Sequence, residues 1–281
     1  MKRTTYIILG MLLAGVVAMG GFIIYIYNHG TVIDGNTFNI AGTQKSVALP
    51  HCKAIKLVMA ETLDLSNKTD NSESRIKRWV TFNDVPLIVS PSDSSSGHFT
   101  YISGLDRYMV MHAVGDTLVI AFNFDSAKQD ETGQSSYWMN IHAGQMSLTL
   151  PPRVQLLTAT LPDQKVTLRG FKQDSLSIVT NSEGFVEQSH FGALTIKGNK
   201  WSLNSGAVNN LHLSLDGMED WSVKTDSFRI DTEYLSGAGD RLEATLQKGE
   251  CRRAVWQPQS ENASLKLKLK EAAEIKVLGR H

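Results

Sequence analysis

Leu176-Ser177-Ile178, then Asn181-Ser182-Glu183-Gly184, then Leu194-Thr195-Ile196, then Gly198-Asn199-Lys200: this stretch decides the fold. An apolar–polar–apolar triplet marks a strand with one buried face. Clustered Asn, Ser and Gly mark a turn. The triplets recur at Leu211-His212-Leu213-Ser214-Leu215, Phe228-Arg229-Ile230, Leu242-Glu243-Ala244-Thr245-Leu246, Leu265-Lys266-Leu267-Lys268-Leu269 and Ile275-Lys276-Val277. The early ones start roughly 16–18 residues apart and the later spacing loosens. A β-sandwich repeats its strands every 8–12 residues. A longer period with one triplet per repeat suits a coil in which each turn stacks its strand on the last. The sequence therefore predicts an all-β chain with a right-handed parallel β-helix-like domain, a two-sheet β-sandwich being the alternative. Leu176, Ile178, Leu194, Ile196, Leu213, Leu215, Phe228 and Ile230 are predicted to point into one continuous core.

The first half also reads as strands. β-branched or alternating runs cover Ala54 to Met59, Trp79 to Phe82, Pro86 to Val89, Phe99 to Ile102, Tyr108 to His112, Thr117 to Phe124, Tyr137 to Ile141 and Met146 to Leu150. Loop-like stretches separate them, notably Pro91 to Gly97 and Asp125 to Ser136. No long amphipathic helix is evident; Lys270 to Val277 is short and reads equally as a turn between strands. In Leu265 to Lys270 three leucines are expected to face in and three lysines out. Such lysines blunt an exposed sheet edge, and as a basic stripe they bind acidic polymers only weakly in salt.

At the start, Tyr6 to Tyr27 is an uncharged apolar run of 22 residues preceded by Lys2 and Arg3. About 20 apolar residues let a helix cross roughly 30 Å of hydrocarbon, and the basic flank favours an inside N-terminus. The expected organisation is a cytoplasmic tail 1–5, a transmembrane signal anchor 6–27, a linker 28–47 and an extracytoplasmic domain 48–281. That places the chain in a bacterial inner membrane with its domain in the periplasm, and makes the lipid bilayer a partner. The rival is a cleaved signal ending near Ala18-Met19-Gly20, but a signal's apolar core is usually shorter.

With 28 basic and 28 acidic residues the net charge is zero, which gives no electrostatic case for nucleic acid. Cys52 and Cys251 are the only cysteines. A bridge between them would close a loop of roughly 200 residues; the alternative is two separate thiols. No nucleophile elbow, phosphate loop, dinucleotide fingerprint, His-Glu-x-x-His or Cys-x-x-Cys is present, so no catalytic residue, cofactor or metal ligand set is assigned. His98, His112, His142, His190 and His212 lie in the domain, and His190 and His212 are candidates to neighbour each other on adjacent coils. The densest carboxylate region runs from Asp216 through Asp226, Asp231 and Glu233, and within it Asp216, Glu219, Asp220, Asp226 and Asp231 are weak candidates for Ca²⁺ or glycan binding. Trp79, Trp138, Trp201, Trp221 and Trp256 fill a core or, if exposed, stack sugars.

One resemblance emerges from the order of these parts: an exported start, Gly115-Asp116-Thr117-Leu118-Val119-Ile120, a strand Met146 to Leu150 ending at Pro151-Pro152, then the repeated strands. This order resembles the "putative auto-transporter adhesin, head-GIN domain" family of Bacteroidetes-type envelope proteins, over roughly Cys52 to Gly279. The resemblance implies a β-helical envelope domain and carries over no catalytic residue. The expected function is a membrane-anchored, non-enzymatic protein for adhesion, scaffolding or binding of an envelope protein or glycan. The alternatives are a carbohydrate-active β-helix enzyme and an envelope-signalling component.

Overall fold

The computed structural model describes residues 11–22, 25, 37–60, 79–124, 138–271 and 274–278. The chain divides into two units, Met1–Asn36 and Thr37–His281. In the first, residues 11–22 are helical and largely exposed. No helix among the described residues is long and apolar enough to cross a membrane. The ends of the expected anchor, 6–10, 23, 24, 26 and 27, lie outside the described residues. Of the expected linker 28–47, residues 28–36 lie outside the described residues, and Thr37–Asn39 and Gln44–Ala48 are strands of the second unit.

The second unit is a parallel β-solenoid. A ten-stranded long sheet faces an eight-stranded short sheet. Each coil contributes one long strand, such as Lys172–Thr180, Ser189–Lys197, Gly206–Ser214 or Phe228–Gly237, and then one short strand, such as Glu183–Glu187, Lys200–Leu203 or Asp220–Val223. Successive coils pair in parallel, in both sheets. Parallel pairing between coils rules out the sandwich, whose hairpins would pair antiparallel.

Register explains why the triplets carry the fold. Leu118, Ile55, Leu157, Ile178, Ile196, Leu213 and Leu235 form one inward column across seven strands. All seven are buried. A one-residue slip in any strand would turn its apolar set outward, so each triplet fixes its own register. Every residue predicted to face the core is buried, from Leu194 and Ile196 at 0% exposed to Leu215 and Ile230 at 4%. The long strands bend midway: Phe191 and Leu194 both point inward with two residues between them, where strict alternation allows one.

Polar side chains and special backbone shape the corners. Gly170 and Gln188 follow equivalent short strands and both take positive φ, 76° and 50°. The buried Ser189 hydroxyl donates to the Glu187 carbonyl at 2.7 Å and accepts the Phe171 N–H at 3.1 Å, tying two coils together. Gly206 has φ 132°, and a Cβ there would lie 1.9 Å from the Ser189 carbonyl oxygen, so no other residue fits.

The first coils do not wind in chain order. Ala54–Met59 and Leu87–Pro91 form one coil, and Thr117–Phe122 and Met146–Leu150 stack on its outer side. The chain then crosses back at Pro151-Pro152 to place Leu156–Ala159 and Val166–Arg169 on the first coil's other side. Antiparallel strands close this end: Met109–Val114 on the long sheet, and His98–Ile102 with Gln44–Ala48 on the short one. Gly115, with φ 57°, sits in the turn between Met109–Val114 and Thr117–Phe122, which explains the Gly-Asp-Thr-Leu motif as a hairpin.

At the other end the short sheet stops at Asp220–Val223. Leu242–Leu246 pairs instead with Leu265–Leu269 in a separate two-stranded sheet, while the long sheet continues through Cys251–Pro258 and Glu274–Val277. Leu265 and Leu267 pack against the core, but Leu269 is 39% exposed, so two leucines of the predicted three face in. Lys266 pairs with Glu243 of the strand below at 3.0 Å.

Candidate functional site

The five candidate carboxylates do not converge. Asp216 is structural: its carboxylate accepts the Ala238 N–H at 2.9 Å and lies 3.3 Å from the Gly239 N, capping the next coil's turn. Asp231 points outward and pairs with Arg252 at 3.0 Å. Asp226 accepts only from its neighbour Ser227. Asp220 lies exposed on the last short-sheet strand, and Glu219 lines a separate groove. No three His, Cys, Asp or Glu among the described residues are grouped to hold a metal ion.

The histidines are likewise separate. His190 stands in register with Ala207, five residues from His212, or roughly 16 Å along the strand. His212 is half-buried, its ring 4.4 Å from that of Tyr234 and nearly parallel, and burial lowers its basicity. Trp201 and Trp221 are register partners on adjacent coils, but they form no exposed ladder. Trp201 is 1% exposed, and Trp221 donates Nε1–H to Glu250. The side chains of Trp79 and Trp138 lie outside the described residues.

The cysteines are free thiols. Six strand spacings separate the strand that follows Cys52 from the one that begins at Cys251. At about 4.8 Å each this is roughly 29 Å, far beyond the reach of a disulfide, about 7 Å between Cα atoms. Burial raises both thiols above the ordinary value.

Two lateral grooves run where turns stack. One holds about 270 Å³ and is lined by polar turn residues, including Asp163, Lys165, Glu183, Lys200 and Glu219. Its charges offset one another, as in the 3.5 Å pair between Lys165 and Glu183. The other holds about 530 Å³ at the crossover of the first coils. Pro91–Asp93, Leu150, Pro152, Gln155, Gly170 and Lys172–Ser175 line it. Sequence reading missed this groove because three stretches distant in the chain build it. Pro151-Pro152 was the one visible sign.

Within the larger groove the apolar floor is Pro91, Leu150 and Pro152, and the polar rim is Ser92, Asp93, Lys172 and Asp174. Gln173 is held in place by donating Nε2–H to the Val154 carbonyl at 3.3 Å and to that of Ser175 at 2.5 Å. Arg153 donates to the Ser95 carbonyl and pins the loop on one wall. Lys172, Asp93 and Asp174 are exposed. The arrangement offers a cation, carboxylates, amides and hydroxyls on a rigid frame over an apolar strip. Mixed linings of this kind suit small organic or saccharide ligands.

A third cluster is hidden. Glu233 is fully buried and Glu250 is 2% exposed. Burial raises Glu233 to about 8, and the nearby charge of Glu250 adds to this. Glu250 too is raised by its burial.

No protein-family model matches the sequence, and no curated protein matches it. Solved structures do. A "putative adhesin" from Bacteroides fragilis aligns over 86% of this chain and 100% of its own, at 11% identity and TM-score 0.45. A "putative lipid binding protein" from Parabacteroides distasonis aligns over 86% and 100%, at 9% identity and TM-score 0.39. A "putative cell adhesion protein" from Clostridium sporogenes aligns over 84% and 94%, at 11% identity and TM-score 0.31.

Proposed function

We propose that this chain is a non-catalytic binding protein of a bacterial envelope. Tyr6 to Tyr27 anchors it in the inner membrane with the N-terminus inside, and the solenoid stands in the periplasm and binds a polysaccharide along its larger lateral groove. The observation that carries this reading is the groove of about 530 Å³, open to solvent and built from stacked coils. A solenoid presents a long rigid face, so a polymer is bound at little cost in ordering the protein. The exposed Lys172, Asp174 and Asp93 supply hydrogen-bonding groups for hydroxyl-rich ligands.

The competing reading is a glycoside hydrolase, since two carboxylates and a lysine share the groove. The acid of such an enzyme is poised by a desolvated pocket. Asp93 and Asp174 stand in open solvent instead. The proposed kinship with head-GIN adhesins agrees with binding rather than turnover.

The test uses full-length protein in detergent against a panel of envelope polysaccharides. Binding should weaken roughly tenfold in Lys172→Ala and in Asp174→Ala, the loss of about 1.4 kcal/mol each, and no new reducing ends should appear. New reducing ends that vanish in Asp93→Asn or Asp174→Asn would show an enzyme. Polysaccharide binding that ignores both groove variants would remove the groove from the account. For the anchor, protease added to intact spheroplasts should digest the chain beyond Asn28; full protection would refute the topology.

A further inference from the structure

Glu233 occupies a column that is otherwise aliphatic. Leu176, Leu194 and Leu211 precede it at the same register on successive strands, and Ala254 follows. Its carboxyl is 0% exposed, and no group among the described residues completes a well-formed hydrogen bond to either oxygen, the Cys251 thiol and Trp221 indole being its polar neighbours. A buried carboxylate in that state costs several kcal/mol.

Three polar groups lie near it, while Gly206–Ser214, paired with its strand on the other side, sets Leu211 beside it. The turn after Leu242–Leu246 brings Glu250, the strand Cys251–Pro258 brings the Cys251 thiol, and Asp220–Val223 brings the Trp221 indole. Glu250 is well supplied with donors: Trp221 Nε1–H at 3.1 Å and the Gln247 N–H at 2.5 Å. Negative charge therefore belongs on Glu250 and the proton on Glu233. No cation among the described residues pairs with them. Arg252, Arg253 and Lys266 on the adjacent strands turn outward to Asp231, Glu274 and Glu243, and Lys248 and Arg241 are exposed.

The position of this pair is what gives it a consequence. It lies where the short sheet breaks, between Asp220–Val223 and the unpaired-to-it strand Leu242–Leu246. The last coils, from Leu242 onward, are thus joined to the body on one side by the long sheet and on the other by the buried cluster together with Leu242, Ala244, Leu265 and Leu267 packed on the core. We propose that Glu233 is a proton-operated latch: protonated, it holds the coils beyond residue 241 closed on the solenoid body, and deprotonated, it lets them open.

Sign and size follow from linkage. The opened state binds a proton with the ordinary carboxyl value of 4.5, and the closed state with a value of about 8. Opening then becomes easier as pH rises between those values, roughly fifty-fold between pH 6 and pH 8. Opening would bare the edge of Phe228–Gly237, a ready site for strand addition.

The experiment is amide hydrogen exchange on the full-length chain at pH 6 and pH 8, with the intrinsic pH dependence of exchange divided out. Opening measured at amides of Leu242–Leu246 and Cys251–Pro258 should rise by a few tens of fold, while amides of Ser189–Lys197 should hold steady. The rise should disappear in Glu233→Gln. Glu233→Leu, which continues the leucine column, should abolish it too, and decides the matter if the glutamine variant does not fold. A flat response in the wild type, or a rise that survives both variants, would overturn the latch. So would closure at pH 8 on adding Ca²⁺ or K⁺ alone, which would make the pair a cation site instead.

Discussion

Gly184→Ala tests the stacking of coils at one atom. Gly184 lies on Glu183–Glu187 in register with Trp201 of the next coil. A Cβ on it would sit 2.5 Å from the indole Cε2 and Cζ2 atoms. Carbon atoms pack comfortably at about 3.5–4.0 Å, so the ring must retreat by roughly 1 Å. Trp201 is 1% exposed and has nowhere to go. Overpacking of this kind costs about 1–3 kcal/mol. Replacing Gly by Ala in a strand otherwise gains about 0.5–1 kcal/mol, so the net loss should be about 1–2 kcal/mol. In a Trp201→Leu background the clashing atoms are gone, and the same substitution should be neutral or slightly stabilising. The coupling between the two sites is then about 1–3 kcal/mol, the overpacking term itself. Guanidinium unfolding of the four chains, followed by far-ultraviolet circular dichroism, measures it. Equal destabilisation in both backgrounds would refute the register that places Trp201 over Gly184.

Other substitutions probe separate parts. Ile196→Ala deletes a fully buried side chain from the column between Ile178 and Leu213 and should cost about 2–5 kcal/mol by the same unfolding assay. Asp216→Ala removes the acceptor for Ala238 and Gly239, so a loss of about 0.5–2 kcal/mol is expected, as for a helix cap, and added Ca²⁺ should restore none of it. Thiol titration in denaturant without reductant should find two free thiols per chain; one bridged pair would contradict the separation of Cys52 and Cys251. Lys45 and Tyr101 hydrogen-bond the ionised Asp106 and hold its carboxyl below the ordinary value. That stability is present above the unfolded value and is lost as pH falls through the folded one, so Asp106→Asn should flatten the acid limb of stability below about pH 4.

The solenoid was legible where its strands advertise themselves. Long-sheet triplets such as Leu194-Thr195-Ile196 carry two large aliphatic residues at period two, enough to reveal both strand and period. Short-sheet strands do not. Glu183–Glu187 buries only Gly184 and Val186, and its glycine and flanking acids read as a turn. Lys200–Leu203 and Asp220–Val223 hide for the same reason, each being four residues long. The order of the first coils was invisible because the stacking of Thr117–Phe122 outside Ala54–Met59 is a long-range pairing that no local pattern encodes. Among the candidate residues, acids close in the chain proved scattered, since successive strand residues face opposite sides. Asp231 points out to Arg252, whereas Glu233 points into the core, one strand bend later. The acid with the most unusual surroundings thus lay within the densest carboxylate region but outside the five candidates drawn from it.

The central claim, binding without bond cleavage in the crossover groove, is tested most directly by mapping hydrogen exchange of the full-length chain with and without a bound envelope polysaccharide, counting reducing ends in the same samples. The account predicts slowed exchange at Gly170 to Ser175 and at Ser92 to Asp93, with the number of reducing ends unchanged. Protection confined to the two end strands, Met109–Val114 or Glu274–Val277, or a rise in reducing ends during binding, would contradict it.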